Sequence, residues 1–200
     1  MTGLEEDLRY GSCRVCNQRI RGDTIKMSMD FADCVKKAQQ GDADAFAELY
    51  SLVYKDLYRI ALLNLNNEHD ASDVVSDAVL EAYTSIRKLK NENAFKSWMI
   101  AILTVKIKNK QKEYIKNRDH STELDEAAET ESAAEVSFEG IEVMEGFNRL
   151  SEEDRLMLSL DVVSGYKSEE IAKMCGSNAN TVRSRVSRAK EKLKQFLSDK

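Results

Sequence analysis

Apolar residues recur every three or four positions along most of the chain, which is the spacing that places them on one face of an α-helix. Turn-forming residues interrupt this pattern, and Gly41, Gly165 and Gly176 each stand where a periodic stretch stops. Glycine is favoured there because the residue after a helix often adopts a left-handed conformation. The pattern predicts an all-α fold with two small helical domains, residues 30–118 and 141–200, joined by a flexible acidic linker.

The third helix of the first predicted domain has two unlike faces. One face is apolar, and the other carries carboxylates three or four residues apart. These carboxylates belong to Asp70, Asp73, Asp77 and Glu81. Spacing alone is typical of an ordinary solvated helix face.

A polar loop containing Asn91 and Asn93 leads to the fourth helix of this domain. The periodicity of that helix predicts that its inward-facing residues are Phe95, Trp98, Met99, Ile102 and Val105. The single tryptophan, Trp98, is more typical of a helix core than of a base-stacking surface at this spacing.

Residues 119–140 are rich in Glu, Ala, Ser and Thr, and no Lys or Arg occurs between Asp119 and Asn148. This composition predicts the acidic linker. The second predicted domain begins near Ile141, with Ser151 placed to cap one helix and Ser168 placed to cap a later one.

The last two helices carry the pattern of a helix-turn-helix motif. A small residue, Ala172, precedes the turn at Gly176, and Val182 begins the apolar stripe of the helix that follows. Short polar side chains on the other side leave room for that helix to enter a major groove, and arginines can reach phosphates or guanine edges. The candidate DNA-contacting residues are Asn180, Thr181, Arg183, Ser184, Arg185 and Arg188. An amphipathic helix with a solvated basic face is the alternative interpretation.

The formal net charge is −5, which by itself argues against a nucleic-acid partner. Its distribution changes that conclusion, because a dense run of lysines follows Trp98. Lysines at this density repel one another unless an anion is near, so phosphate contact is the simplest interpretation. The run contains Lys106, Lys108, Lys110 and Lys112.

Residues 1–29 do not resemble a folded element and are predicted to be a disordered extension. Cys13 and Cys16 form a CxxC pair, but neither a second pair nor paired histidines follow it. A structural zinc site requires about four ligands. No metal, cofactor or catalytic site is predicted, since there is neither a glycine-rich phosphate loop nor a nucleophile–base constellation. Without a membrane span or signal peptide, a cytoplasmic location with no membrane insertion is expected.

Several segments together resemble the bacterial RNA polymerase sigma factors of the extracytoplasmic-function group, which keep two domains called region 2 and region 4. The resemblance extends over about residues 30–196 and leaves the first 29 residues unexplained. The segments that carry it are GDADAFAELYSLVYKDLYRIA, DASDVVSDAVLEAY, FKSWMIAI and LSEEDRLMLSLDVVSGYKSEEIAKMCGSNANTVRSRVSRAKEKL. Family members usually have an arginine-rich run after the tryptophan, whereas this chain has lysines.

The resemblance implies a role for each candidate set. The acidic stripe would meet the β′ clamp helices of core RNA polymerase, which reverses its interpretation as a solvated face. The loop at residues 91–93 would capture an unpaired base of the −10 promoter element, while Trp98 and the lysines would contact the separated strands. The helix-turn-helix would read the −35 element of promoter DNA. The resemblance also implies contact with the β subunit and regulation by an anti-sigma factor.

A helix-turn-helix regulator that acts without polymerase docking is the alternative function. The isolated His69 and His120 do not form a catalytic constellation, so an enzyme is not predicted.

Overall fold

The computed structural model describes residues 24–120 and 138–198, and within those ranges it contains helices and turns but no β-strand. The prediction of an all-α fold is confirmed. Two short 3-10 turns, Ile86–Lys88 and Glu92–Ala94, separate α3 from α4. The α-helices are α1 (Thr24–Gln39), α2 (Ala43–Leu65), α3 (Glu68–Ser85), α4 (Phe95–His120), α5 (Phe138–Asn148), α6 (Glu152–Ser164), α7 (Ser168–Cys175) and α8 (Ala179–Ser198).

Most predicted helix ends are confirmed. Gly165 and Gly176 adopt left-handed conformations with φ of 68°, and their N–H groups donate back to carbonyls in the last turns of α6 and α7. The Ser151 hydroxyl accepts from the N–H of Asp154, so the predicted cap of α6 is also confirmed. The predicted cap at Ser168 is wrong by one residue, because Lys167 occupies the N-cap and the Glu170 carboxylate accepts from its N–H.

The helices group into two compact units. One contains the described residues up to Lys55 together with Val79–Met99, and the other contains Asp56–Ala78 with the described residues from Ile100 onward. The predicted domain boundaries stay predictions. Helix α1 begins at Thr24, within the stretch predicted to be an extension. Cys13 and Cys16, as well as most of the predicted linker, lie outside the described residues.

The core of the first unit is built around the ring of Phe95, which is completely buried at the start of α4. The rings of Phe31, Phe46 and Trp98 lie with centroids 6.2, 6.3 and 6.2 Å from it. A second edge-on contact joins Phe46 to Tyr83, with 5.1 Å between the centroids. This aromatic cluster fixes the first turn of α4, from which the loop containing Asn91 and Asn93 leads away.

The core of the second unit includes helices α5 to α8, where α8 packs against α5, α6 and α7. Its largest fully buried side chains from these helices belong to Phe147, Leu158, Leu160 and Ile171. No helix among the described residues combines the length and apolar character needed to cross a bilayer.

The predicted inner face of α4 is wrong at Val105, the last residue assigned to it. The side chain of Val105 is 53% exposed and Ile102 is half-buried, whereas Leu103 and Ile107 are fully buried. Residues 99–103 are all apolar, so the sequence there is compatible with more than one rotation of the helix.

Candidate nucleic-acid interface

Helices α7 and α8 form the helix-turn-helix motif that the sequence predicts. Ile171 and Ala172 of α7 are buried, as are Val182, Val186 and Ala189 of α8. The turn at Gly176 redirects the chain, and the Asn178 side chain caps α8 by accepting from the N–H of Thr181 at 2.8 Å. The buried stripe therefore fixes which side of α8 faces away from α7.

The outward side of α8 is polar, and its residues Asn180, Arg183, Ser184 and Arg188 are exposed, while Thr181 is half-buried. Arg183 donates from Nη1 to Asn180 Oδ1 and from Nη2 to Glu169 Oε1, both at 3.1 Å. Arg188 donates from Nε to the carbonyl of Ser184 at 3.2 Å, which keeps its other guanidinium donors available.

Arg185 points toward α6 rather than away from the motif. Its Nη1 lies 2.7 Å from Glu153 Oε2 and 3.1 Å from Asp154 Oδ1, and its side chain is only 29% exposed. A DNA contact by Arg185 stays a prediction, and a phosphate would have to compete with both carboxylates to make it.

The loop before α4 is an ordered turn. Asn91 caps the 3-10 turn Glu92–Ala94 by accepting from the N–H of Asn93 at 3.1 Å, and both asparagines are exposed. The Gln39 side chain holds the start of this loop, because its Nε2 donates to Leu89 O at 2.7 Å and to Ile86 O at 3.2 Å. Sequence reasoning missed Gln39, since a polar residue that bonds backbone carbonyls leaves no periodic signal.

Trp98 is half-buried, with its ring tilted by 48° against that of Phe95. The prediction of a core contact is confirmed by this ring pair. A role of Trp98 at separated DNA strands stays a prediction.

The four lysines of α4 differ in their surroundings. Lys112 is exposed and Lys106 is half-buried. Lys108 donates from Nζ to the carbonyl of Cys175 at 2.7 Å, and Lys110 Nζ lies 3.0 Å from Asp70 Oδ1. DNA binding by Lys108 and Lys110 stays a prediction, and a phosphate would have to compete with these intramolecular acceptors.

The acidic stripe of α3 is also divided. Asp73, Asp77 and Glu81 are exposed, as a docking face requires. Asp70 is half-buried and accepts from the Tyr114 hydroxyl and the Lys110 ammonium. Partial burial disfavours the charged carboxylate, but these two hydrogen bonds outweigh it, so the pKa of Asp70 lies below its usual value. Asp70 thus joins α3 to α4 within the chain, and its predicted contact with polymerase would be secondary to that role.

Asp70→Ala is expected to lower the free energy of unfolding by about 1–2 kcal/mol, since it removes the acceptor of the Tyr114 hydroxyl and the nearer of the two carboxylates beside Lys110. Urea unfolding at neutral pH measures the change. Asp77→Ala, on the exposed side of the same helix, is the control and should change the free energy by less than about 0.5 kcal/mol. Because the folded pKa is lowered, the contribution of Asp70 should be lost as the pH falls through that pKa. Equal effects of the two substitutions would contradict the assignment of Asp70.

Two family profiles of known proteins match the chain. Residues 48–119 match the family profile of Sigma-70 region 2, and residues 141–193 match that of Sigma-70, region 4. The first match includes the acidic stripe, the loop at residues 91–93 and the lysines, and the second contains the helix-turn-helix.

Similar proteins match over most of the chain. The chain is 26% identical over 188 residues to the extracytoplasmic-function RNA polymerase sigma factor SigW of Bacillus subtilis (strain 168), covering 86% of this chain and 100% of that protein. It is 29% identical over 176 residues to the RNA polymerase sigma-E factor of Haemophilus influenzae, covering 82% and 93%. A solved structure of the sigma factor RpoE with the anti-sigma factor NepR, from Bartonella quintana, has a TM-score of 0.67 at 25% identity and covers 76% of this chain and 96% of that one.

Proposed function

Because the chain belongs to the extracytoplasmic-function sigma factors, which serve in transcription initiation, we propose that it binds core RNA polymerase and selects promoters by recognising a −10 and a −35 element. Two separate DNA contacts in one chain reinforce each other through effective concentration.

The helix-turn-helix is the observation that carries the proposal. The buried stripe of α8 leaves Asn180, Arg183, Ser184 and Arg188 on the exposed side, with arginine donors suited to guanine edges. This side of α8 would enter the major groove of the −35 element as duplex DNA. The match to region 4 over residues 141–193 supports the same assignment.

The capped loop before α4 would make the second contact. Asn91 uses its Oδ1 for the cap, which leaves its amide N–H groups and the whole Asn93 side chain for an unpaired base of the −10 element. The exposed Lys112 is the member of the lysine run best placed to meet phosphate first.

Core polymerase would dock on the exposed carboxylates of α3, which belong to Asp73, Asp77 and Glu81. These charges would face the β′ clamp helices, with further contact to the β subunit. Because these docking groups are negatively charged and exposed, the partner surface should be basic and the binding should weaken with added salt.

Asp73→Lys is expected to reduce the affinity for core polymerase by about tenfold or more, because like charges then meet across the interface. A pull-down with purified core polymerase at low and high salt measures the loss. Asp33→Lys, a charge reversal at an exposed position of α1, is the control and should bind as the wild type does. Asp73 is exposed and forms an exposed pair with His69 at 3.0 Å, which contributes little to folding, so the fold should be unaffected. Undiminished binding of the Asp73 variant would contradict the docking face.

We also propose that an anti-sigma factor regulates this chain. The similar protein RpoE was solved in complex with the anti-sigma factor NepR, at 25% identity to this chain. Such a partner would mask surfaces that otherwise meet polymerase and DNA.

Promoter binding with and without core polymerase separates this function from that of an independent helix-turn-helix regulator. A promoter duplex identified from mapped start sites should bind the holoenzyme tightly and the isolated protein only weakly. The negative net charge supports this expectation, because it disfavours binding to DNA by the free protein. Tight and specific binding by the isolated protein would favour the regulator instead.

A further inference from the structure

Three cations of α8, those of Arg183, Arg185 and Lys190, face acidic residues of the two preceding helices. Arg183 Nη2 lies 3.1 Å from Glu169 Oε1, and Lys190 Nζ lies 2.5 Å from Asp161 Oδ2. The guanidinium of Arg185 pairs with two carboxylates of α6, those of Glu153 and Asp154. These carboxylates of α6 and α7 already pair with cations of α8, and a DNA phosphate must compete with them.

Among these pairs, that of Arg183 is the one in which more than half of both side chains is exposed. The side chains of Arg183 and Glu169 are 61% and 59% exposed, whereas that of Arg185 is 29% exposed. An exposed ion pair contributes little to folding, since water screens the charges and two long side chains lose freedom. The ion pair with Glu169 therefore contributes little to the stability of the fold, and it lies on the side of α8 that would meet DNA.

The geometry of Arg183 is that of an oriented donor. Glu169 on α7 accepts from Nη2 and Asn180 on α8 accepts from Nη1, so the guanidinium is held from two helices. A guanidinium has five N–H donors in one plane. Its remaining donors are thus presented in a defined plane, which bidentate reading of a guanine edge requires.

The position of Glu169 is fixed by the packing of the motif. It lies in the first turn of α7, next to Glu170, whose carboxylate is used to cap the helix at Lys167. Helix α7 in turn packs on α8, and Ile171 and Val182 are both buried. The backbone of Glu169 therefore has a fixed place relative to α8, from which its carboxylate reaches Arg183 at 3.1 Å.

We propose that Glu169 is a positioning residue for promoter selectivity, which holds Arg183 in the orientation that reads a base and keeps it from binding phosphate. This inference rests on the proposed function of the helix-turn-helix. Without the Glu169 carboxylate, Arg183 would sample more rotamers and contact phosphates on any sequence. Selectivity would then fall while non-specific affinity rises.

The experiment uses holoenzyme assembled from core polymerase and the full-length protein, with a duplex library randomised at the upstream element. The proteins compared are the wild type, Glu169→Gln and Glu191→Gln. Glu191 is the control because it is exposed on α8 itself and its substitution changes the net charge equally. With Glu169→Gln, preference at one base pair should fall about fivefold, within the range for one bidentate contact. The control should keep the wild-type preference.

Three further measurements distinguish positioning from a structural role. The affinity of the full-length protein for random-sequence duplex should rise about threefold with Glu169→Gln, and its salt dependence should steepen by about one unit, as for one more phosphate contact. Thermal unfolding should be unchanged. In an Arg183→Ala background, Glu169→Gln should have no effect on base preference, because Glu169 acts through Arg183.

The inference is overturned if Glu169→Gln and Glu191→Gln give the same preferences, or if the effect of Glu169→Gln persists without Arg183. A wild-type holoenzyme that selects no upstream sequence would overturn the proposed −35 function, and the inference with it. The wild-type selection therefore separates the two failures.

Discussion

Replacing Phe95 with alanine is expected to lower the free energy of unfolding by about 3–5 kcal/mol, the usual cost of emptying a large aromatic site in a core. The Phe95 ring is completely buried and contacts the rings of Phe31, Phe46 and Trp98. Phe95 is also the first residue of α4 and closes the 3-10 turn before it, since its N–H donates to the carbonyl of Glu92. The loop proposed to capture a promoter base should lose its order together with the core.

Urea unfolding followed by tryptophan fluorescence measures this effect, because Trp98 is the only tryptophan and lies 6.2 Å from the Phe95 ring. Leu80→Ala is the control, at a position that is 64% exposed, and should change the free energy by less than about 0.5 kcal/mol. A loss below about 1 kcal/mol for Phe95→Ala would contradict the close packing of this cluster.

The second large effect is expected for Arg155→Ala, which should destabilise the second unit by about 2–4 kcal/mol. The guanidinium of Arg155 is half-buried at the start of α6 and donates to four backbone carbonyls. Burial lowers its pKa, because a desolvated cation is less stable than one in water. The acceptors are the carbonyl oxygens of Phe147, Asn148, Leu150 and Asn64, at 3.0 to 3.2 Å.

Three of these carbonyls lie where α5 ends, and that of Asn64 lies in the last turn of α2. Helix ends leave such carbonyls short of partners, and Arg155 donates to four of them at once. Alanine would remove all four bonds, although the Phe147 carbonyl would still accept from the Leu150 N–H. Thermal unfolding followed by circular dichroism measures the loss. Arg155→Lys should recover only part of it, because an ammonium lacks the planar fork. Arg59→Ala, at an exposed position of α2, should be close to neutral, and equal effects at both arginines would contradict the role of Arg155.

Features set by local sequence could be predicted well. The ends of α6 and α7 follow from Gly165 and Gly176, because only glycine adopts a left-handed conformation at little cost. The helix-turn-helix follows in the same way, since its turn and its buried stripe lie within one short stretch. The predicted inward face of α4 is wrong at Val105, because apolar residues occupy nearly every position before it and are compatible with more than one rotation of the helix.

The partners of charged side chains could not be predicted. Asp70 and Lys110 are far apart in sequence and meet only because α3 and α4 pack, and the pairing of Arg185 with Asp154 depends on how α8 lies against α6. Such pairings are tertiary and leave no periodic pattern. The sequence therefore identifies the residues of each candidate surface, but the structure is needed to show which of them are exposed and which pair with other residues of the protein.

Transcription in vitro from genomic DNA, with purified core polymerase and this protein, tests the central claim most directly. Sequencing the 5′ ends of the transcripts should show discrete start sites, each preceded by the same two short sequence blocks near −10 and −35. Core polymerase alone should not produce them. If the folded protein bound promoter DNA but supported no start-site-dependent transcription on any template, the account of a promoter-selecting polymerase subunit would be contradicted.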